Sequence, residues 1–167
     1  MPQGISLHIG LDSVDPSKYS DGNGSPWDGA LPSCENDAKV TQSIADNQGF
    51  QSSLLLTADA TAKNVFNHIK QATQTLQPGD IFLLSYSGHG GQTWDLNSDE
   101  PKDEKACLLI DEVIGKDETI CLFDREMLDD ELNQLFSHFQ QGVRVLVLSD
   151  SCHSGTMIKD LEADDLP

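Results

Sequence analysis

The chain has 167 residues, a length that suits one domain with a sizeable core. Its 28 acidic residues outnumber its 10 basic ones, giving a formal net charge of −18. Such a charge repels phosphate backbones, which disfavours nucleic acid as a partner, and attracts cations and basic peptides; solubility alone is the simpler explanation. No apolar run approaches the roughly 20 residues that a membrane helix needs, and no N-terminal signal peptide is evident.

Four cysteines occur without a CxxC pair or a regular spacing: Cys34, Cys107, Cys121 and Cys152. A disulfide scaffold is therefore not expected, and a reducing compartment, the cytoplasm, is predicted. A lone cysteine is usually a small buried apolar residue rather than a nucleophile. We expect that role for Cys34, Cys107 and Cys121.

Short apolar runs alternate along the chain with segments whose apolar residues recur at helical spacing. The runs predict strands at 5–11, 53–56, 81–87, 119–123 and 143–148. The helical spacing predicts helices at 34–48, 61–76 and 124–139. The residues expected to point inward from these helices are Val40, Ile44, Ala45, Val65, Ile69, Ala72, Leu76, Leu128, Leu132, Leu135 and Phe139.

Polar segments rich in Gly, Pro, Ser and acidic residues separate these elements. Residues 12–33 are predicted to form a long surface loop, and residues 92–115 an irregular acidic segment in which 106–110 could pair as an edge strand. No internal repeat is visible. Residues 1–158 are therefore interpreted as one domain, and residues 159–167 as an acidic, flexible tail.

Alternating strands and helices, with several strands apolar throughout, predict an α/β fold with a mostly parallel sheet and helices on both faces. Functional sites in such sheets lie beyond the carboxyl ends of the strands. His89 and Cys152 each follow such a strand, beside glycines and serines that let a substrate backbone approach. An imidazole can take the proton of a thiol and later protonate a leaving amine, so the pair predicts a Cys–His dyad. His153 adjoins Cys152 in sequence, which favours His89 as the base.

Four motifs in order carry a family resemblance: CEND at 34–37, SYSGHGG at 85–91, DETICLFD at 117–124 followed by LDDEL at 128–132, and SDSCHSG at 149–155. They resemble the metacaspase branch of caspase-like peptidases, whose bacterial members are often called orthocaspases. The resemblance spans residues 5 to about 158. It implies a caspase-like fold and hydrolysis of peptide bonds.

The resemblance also implies roles for individual residues. His89 would be the general base and acid, Cys152 the nucleophile, and the N–H groups of Gly90 and Cys152 the oxyanion hole. Metacaspases cut after Arg or Lys, and the carboxylates of their basic pocket correspond to Asp37 and Asp150. Paired carboxylates suit a guanidinium, because they bind it through charge-assisted, bidentate hydrogen bonds. The alternatives are an acid favoured at a helix N-terminus for Asp37 and a simple loop acid for Asp150.

Some metacaspases bind an activating calcium ion, and the resemblance assigns its carboxylates to Asp117, Asp129 and Asp130. Lys159 stands where a fourth acid is usual, and a cation there opposes a divalent ion. We therefore do not expect calcium to be required. Asp129 and Asp130 also fit a helix N-terminus, where acids are stabilised.

Caspase-like enzymes have a second, smaller segment after the cysteine motif, and its counterpart is absent from these 167 residues. That small C-terminal segment is an expected partner, since otherwise the predicted strand 143–148 would have an unpaired edge. Self-cleavage at Lys159 is a weaker hypothesis. The rival interpretations are a catalytically silent caspase-like interaction module and an α/β binding domain, although no glycine-rich phosphate loop supports the latter.

Overall fold

A computed structural model describes residues 2–21, 23–94 and 116–151. The elements, in chain order, are β1 (Gly4–Gly10), α1 (Cys34–Asn47), β2 (Gln51–Leu56), α2 (Ala62–Thr75), β3 (Ile81–Ser87), β4 (Gly90–Trp94), β5 (Lys116–Cys121), β6 (Glu126–Leu128), α3 (Asp129–Phe136) and β7 (Arg144–Asp150).

Four strands form a parallel sheet in the order β2-β1-β3-β7. β3 lies between β1 and β7, and its last residue, Ser87, pairs with Gly10 on one side and Asp150 on the other. The carboxyl ends of these strands therefore lie together at one edge of the sheet. This is the edge at which a functional site is predicted.

The main core lies on the sheet face that packs against α2 and α3. Alternate residues of a strand point to opposite faces, and Leu7 and Ile9 of β1 lie on this face with Val65 and Ile69 of α2. All four inward positions predicted for α2 are buried. Phe82 of β3 also belongs here, with its ring against Phe136 and Phe139.

The other face of the sheet packs against α1, which approaches β1 closely. A Cβ at Gly10 would lie 2.4 Å from the carbonyl oxygen of Cys34, so only glycine admits this approach. The helix accordingly turns small side chains inward, and Ala38 and Ala45 are 1% and 2% exposed. The predicted inward positions Val40 and Ile44 are wrong, because each is 58% exposed.

The third helix begins later than predicted. Residues 126–128 form β6 and pair with β5, placing Met127 opposite Ile120 in the core. The Glu131 carboxylate accepts the Leu128 N–H at 3.1 Å, and α3 starts immediately after that residue. Leu128 is therefore not an inward helical position, whereas Leu132 is buried as expected. Leu135 and Phe139 pack partly buried against the same core.

A second, antiparallel sheet has the order β4-β5-β6. β4 includes residues 92–94, which were predicted to be irregular. The remainder of that segment, with its expected strand at 106–110, lies outside the described residues, and so does the tail at 159–167. Among the helices that the structure does describe, none has the length and apolar character to cross a membrane.

One strip of the surface is apolar and uncovered by any described residue. Leu146 and Leu148 of β7 are each 47% exposed, although helices were expected to cover both faces of the sheet. Their register with Leu83 and Ser85 puts them on the α1 face of the sheet. We call Val40, Ile44, Leu146 and Leu148 the open strip.

Candidate active site

The backbone at His89 is fixed by two hydrogen bonds to its carbonyl oxygen. That oxygen accepts hydrogen bonds from Tyr86 Oη at 2.7 Å and from the Cys121 N–H at 2.9 Å. A Cβ at Gly88 would lie 2.5 Å from the same Tyr86 Oη, so this position requires glycine. Burial raises the pKa of Tyr86 well above its ordinary value, which keeps its hydroxyl protonated as a donor.

The imidazole of His89 is oriented by the carbonyl oxygen of Gly29, which lies 3.1 Å from Nε2. A carbonyl oxygen only accepts, so this bond assigns the ring proton to Nε2. Nδ1 then carries the lone pair and is the nitrogen available as a base. Gly29 lies in the long loop and has a φ of +56°, in the left-handed region that favours glycine.

The same loop places an aromatic side chain against His89. The Trp27 ring lies 5.0 Å from the imidazole, centroid to centroid, at an interplanar angle of 52°. Tyr19 packs edge-on against Trp27, and its hydroxyl donates to the Leu122 carbonyl at 2.6 Å. No motif in the sequence points to Trp27 or Gly29. The available signal is the presence of two aromatic residues, Tyr19 and Trp27, in a mostly small and polar loop.

Asp37 and Asp150 line the same cleft, of about 510 Å³, on the α1 side of the sheet. Asp37 lies in the first turn of α1, and Asp150 is the last residue of β7. Between them, Ser87 donates from Oγ to Asp37 Oδ2 at 3.3 Å. The structure thus brings together two carboxylates that are 113 positions apart in the chain. Ser87 is a further polar group that the sequence analysis did not assign to this cleft.

Cys34 lies beside this cleft as a buried thiol. Burial raises its pKa, and the Asp12, Asp37 and Asp150 carboxylates raise it further, against the lowering effect of a hydrogen bond with Ser87. A thiol with a raised pKa stays protonated and is a poor nucleophile. Cys34 and Cys121 are both buried, as expected, whereas Cys107 lies outside the described residues.

Cys152, the predicted nucleophile, also lies outside the described residues, as does His153. The structure describes the chain as far as Ser151, whose Oγ is 3.0 Å from that of Ser149. Gly90, the predicted oxyanion donor, begins β4 and pairs with Ile120.

The predicted calcium ligands are only partly described. Asp129 is 1% exposed and its Oδ1 accepts the Asp130 N–H at 2.9 Å, in the first turn of α3. Asp117 lies in β5, but its side chain is outside the description, as is Lys159. Within residues 2–21, 23–94 and 116–151, no group of three or more His, Cys, Asp or Glu side chains could hold a metal ion. The described residues therefore do not by themselves form a calcium site.

Known proteins share this architecture. The chain resembles the crystal structure of protein GSU0716 from Geobacter sulfurreducens, with a TM-score of 0.75 and 49% identity, over 93% of this chain and 52% of that one. It is 34% identical to Metacaspase-1 of Saccharomyces cerevisiae over 143 residues, which are 77% of this chain and 30% of the relative. Metacaspase-1 of Botryotinia fuckeliana is 34% identical over 145 residues, covering 78% and 32% respectively.

The parallel sheet, its flanking helices and these relatives define a protein of the caspase-like class of cysteine peptidases. Residues 18–161 match the family described as metacaspase, peptidase C14 domain. The chain belongs to the metacaspase family. It spans about a third of the length of the curated relatives it matches, and about half of the Geobacter sulfurreducens chain.

Proposed function

We propose that this chain carries the catalytic dyad of a cytoplasmic cysteine endopeptidase that cuts peptide bonds after Arg or Lys. The observation that carries the proposal is the orientation of His89. Gly29 holds Nε2 of this ring and leaves Nδ1 as the base, at the carboxyl end of β3. Ser87 pairs with Asp150 across β3 and β7. His89 follows Ser87 by two residues and Cys152 follows Asp150 by two residues, so this register favours a meeting of the imidazole and the thiol.

The mechanism follows from these positions. Nδ1 of His89 takes the proton of the Cys152 thiol, and the thiolate attacks the scissile carbonyl carbon. The N–H groups of Gly90 and Cys152 donate to the developing oxyanion. His89 then gives the proton to the leaving amine, and a thioester to Cys152 remains. Water, deprotonated by His89, hydrolyses that thioester and restores the thiol.

The cleft between α1 and β7 is proposed to bind the basic side chain of the substrate. Asp37 and Asp150 supply two carboxylates, and Ser87 a hydroxyl beside them. Together they offer charge-assisted acceptors to a guanidinium or an ammonium group. The negative charge of the whole chain adds a long-range attraction for basic substrates.

The open strip is proposed to be covered by the small C-terminal segment typical of caspase-like enzymes. Leu146 and Leu148 stand on β7, whose only described neighbour is β3, and Val40 of α1 lines the same cleft as Leu148. An added strand would satisfy the backbone groups of the other edge of β7 and bury the apolar side chains. The substrate cleft would then have a wall on the side that is open here.

The test is hydrolysis of two fluorogenic peptides that differ only in ending with Arg or Asp. We expect cleavage after Arg alone, and its reduction to background by Cys152→Ala and by His89→Ala. Labelling with an Arg-chloromethylketone checks the site independently, because Cys152 should react faster than the other cysteines. If neither cleavage nor selective labelling occurs even when the small C-terminal segment is supplied, this chain is a silent module and the proposal is wrong.

The pocket is tested with Asp37→Asn and Asp150→Asn, which keep size and remove charge. Each should raise KM for the Arg peptide by about tenfold or more, since hydrogen bonds to charged groups contribute roughly 1.5–3 kcal/mol. Asp46→Asn is the matched control, because Asp46 lies on α1 but outside the cleft. Equal KM values in all three variants would refute the assignment.

A further inference from the structure

A second groove lies between α2 and α3, on the sheet face opposite the Asp37–Asp150 cleft. Its volume is about 860 Å³. Ala62 and Met127 are buried in its lining, Leu135 is half-buried, and Phe66 remains 42% exposed. An exposed phenylalanine in an apolar depression is a candidate contact for another molecule.

The acidic groups around this groove already accept hydrogen bonds within the chain, whereas two of its basic groups form no ion pair in the described ranges. The two acids are engaged internally: Asp124 accepts the Ala62 N–H at 2.8 Å, and Glu131 accepts two hydrogen bonds from Arg125 at 2.8 Å. Lys63 and Lys70 are exposed, and neither forms an ion pair with another residue in the described ranges. The groove therefore offers two available cations on a chain whose net charge is −18.

The two lysines flank the exposed aromatic ring. Lys63, Phe66 and Lys70 lie on one face of α2, because residues three and four apart are neighbours on a helix. Lys70 Nζ lies 5.6 Å from the centre of the Phe66 ring. Seven residues of helix separate the lysine backbones by about 10 Å, a span that three or four residues of extended peptide match.

We propose that this groove docks an acidic peptide segment of a partner protein, with an apolar side chain between two carboxylates. In an extended segment, residues i, i+2 and i+4 face the same way. The sequence Glu-x-Leu-x-Glu thus presents a leucine to Phe66 and a glutamate to each lysine. The net charge of the chain repels such a segment elsewhere, so its attraction is confined to this groove.

This docking surface is independent of the proposed peptidase activity. It lies on the α2 and α3 side of the sheet, and none of its lining residues belongs to the proposed dyad or basic pocket. Binding can therefore be measured with Cys152→Ala, which prevents any cleavage of the probe.

The experiment is an NMR titration of the ¹⁵N-labelled Cys152→Ala chain with the peptide Gly-Glu-Ser-Leu-Ser-Glu-Gly. We expect saturable shifts confined to α2 and to residues 124–138, the two segments that line the groove. The double variant Lys63→Glu/Lys70→Glu should weaken binding about tenfold or more, because each exposed charge contact is worth up to about a factor of five and is here reversed. Phe66→Ser should weaken it several-fold. All three positions are exposed, and a thermal melt confirms folding.

The matched control is Lys18→Glu/Lys39→Glu, which changes the net charge equally outside the groove. It should alter the affinity less than twofold. Peptides with both glutamates replaced by glutamine, or the leucine by serine, should bind at least five times more weakly. Equal losses in the two double variants, equal binding of the control peptides, or shifts outside α2 and residues 124–138 would overturn the proposal.

Discussion

The environment of His89 comes from a loop that is distant in sequence. Gly29 contributes a carbonyl to Nε2, and Trp27 contributes a ring face at 5.0 Å. Tyr19 packs against Trp27 and is itself anchored through its hydroxyl to the Leu122 carbonyl. A flat ring can rotate about its Cβ bond unless something packs against it. Trp27 is therefore interpreted as a positioning residue for the base rather than a catalytic one.

Trp27→Ala should lower kcat for the Arg peptide by about tenfold to a hundredfold, because small misplacements of catalytic groups are costly. Trp27→Phe retains a ring and should restore most of the rate. The loss should fall on kcat and leave KM nearly unchanged, because Trp27 packs against the base and does not line the basic pocket. A normal kcat in Trp27→Ala, or a loss that Trp27→Phe does not restore, would contradict the positioning role.

His8 belongs to a buried polar cluster between the parallel sheet and α1. Its Nδ1 is 2.8 Å from Ser85 Oγ and 3.1 Å from Thr41 Oγ1, and its Nε2 is 2.9 Å from Ser6 Oγ. Burial lowers the pKa of His8, and Asp46, the charged group acting on it, opposes this only in part. The native state therefore favours the neutral ring.

The folding free energy should accordingly depend on pH through His8. A histidine whose pKa is lowered in the native state stabilises the fold fully at pH values above its unfolded pKa of about 6.5. This stabilisation is lost as the pH falls from the unfolded pKa through the lower native pKa. Urea unfolding at pH 7.5 and 5.5 should show lower stability at pH 5.5, and His8→Gln should reduce that difference. The carboxylates with lowered pKa values, such as Asp80, act only at lower pH. An unchanged pH difference in His8→Gln would refute this assignment.

At the scale of elements, the helices on the two faces of the sheet bury side chains of different size. α2 buries its apolar stripe completely, with Val65 and Ile69 at 0% exposure. α1 packs through Ala38 and Ala45 and leaves Ile44 outside. The proximity of α1 to Gly10 selects small inward residues, so the larger ones lie on the flank.

Two identical substitutions test this difference. Ile69→Ala should lower the free energy of unfolding by about 2–5 kcal/mol, because it leaves a cavity in the core. Ile44→Ala should change it by no more than about 0.5 kcal/mol, as is usual for exposed positions. Urea denaturation of both variants gives the comparison. Similar losses at the two positions would mean that α1 packs through Ile44 after all.

At the scale of the whole molecule, net charge is the dominant feature. A charge of −18 destabilises the compact state through self-repulsion, and the described residues contain only two salt bridges, Lys39–Glu35 and Arg125–Glu131. Dissolved ions shorten the range of this repulsion from about 30 Å at 0.01 M to about 8 Å at 0.15 M.

The melting temperature should therefore rise by a few degrees between 0.01 and 0.15 M NaCl, since about 1 kcal/mol shifts Tm by roughly 2–4 °C at this size. KCl should give the same rise, because screening depends on ionic strength alone. CaCl2 at equal ionic strength is the informative control: a clearly larger rise would reveal a calcium site. A Tm that does not respond to NaCl would contradict self-repulsion.

Much of this architecture follows from local patterns. The apolar run at 81–87 coincides with β3, and the helical spacing at 61–76 contains α2 with all its inward residues. The family could be recognised from four short motifs in order, two of which stand at the ends of the apolar runs at 81–87 and 143–148. The resemblance pairs Asp37 with Asp150, and both line one cleft in the structure.

Contacts between distant segments decided the rest. No spacing within 12–33 indicates that Gly29 and Trp27 reach His89, because a loop has no period and its contacts lie some 60 positions away. Likewise, the periodicity of 34–48 allows either of two stripes to face inward, and only the close approach at Gly10 selects one. Local patterns determined the elements and the family of this chain. Tertiary packing alone decided which ring nitrogen of His89 is free and which faces stay open, because both depend on backbone groups that are remote in sequence.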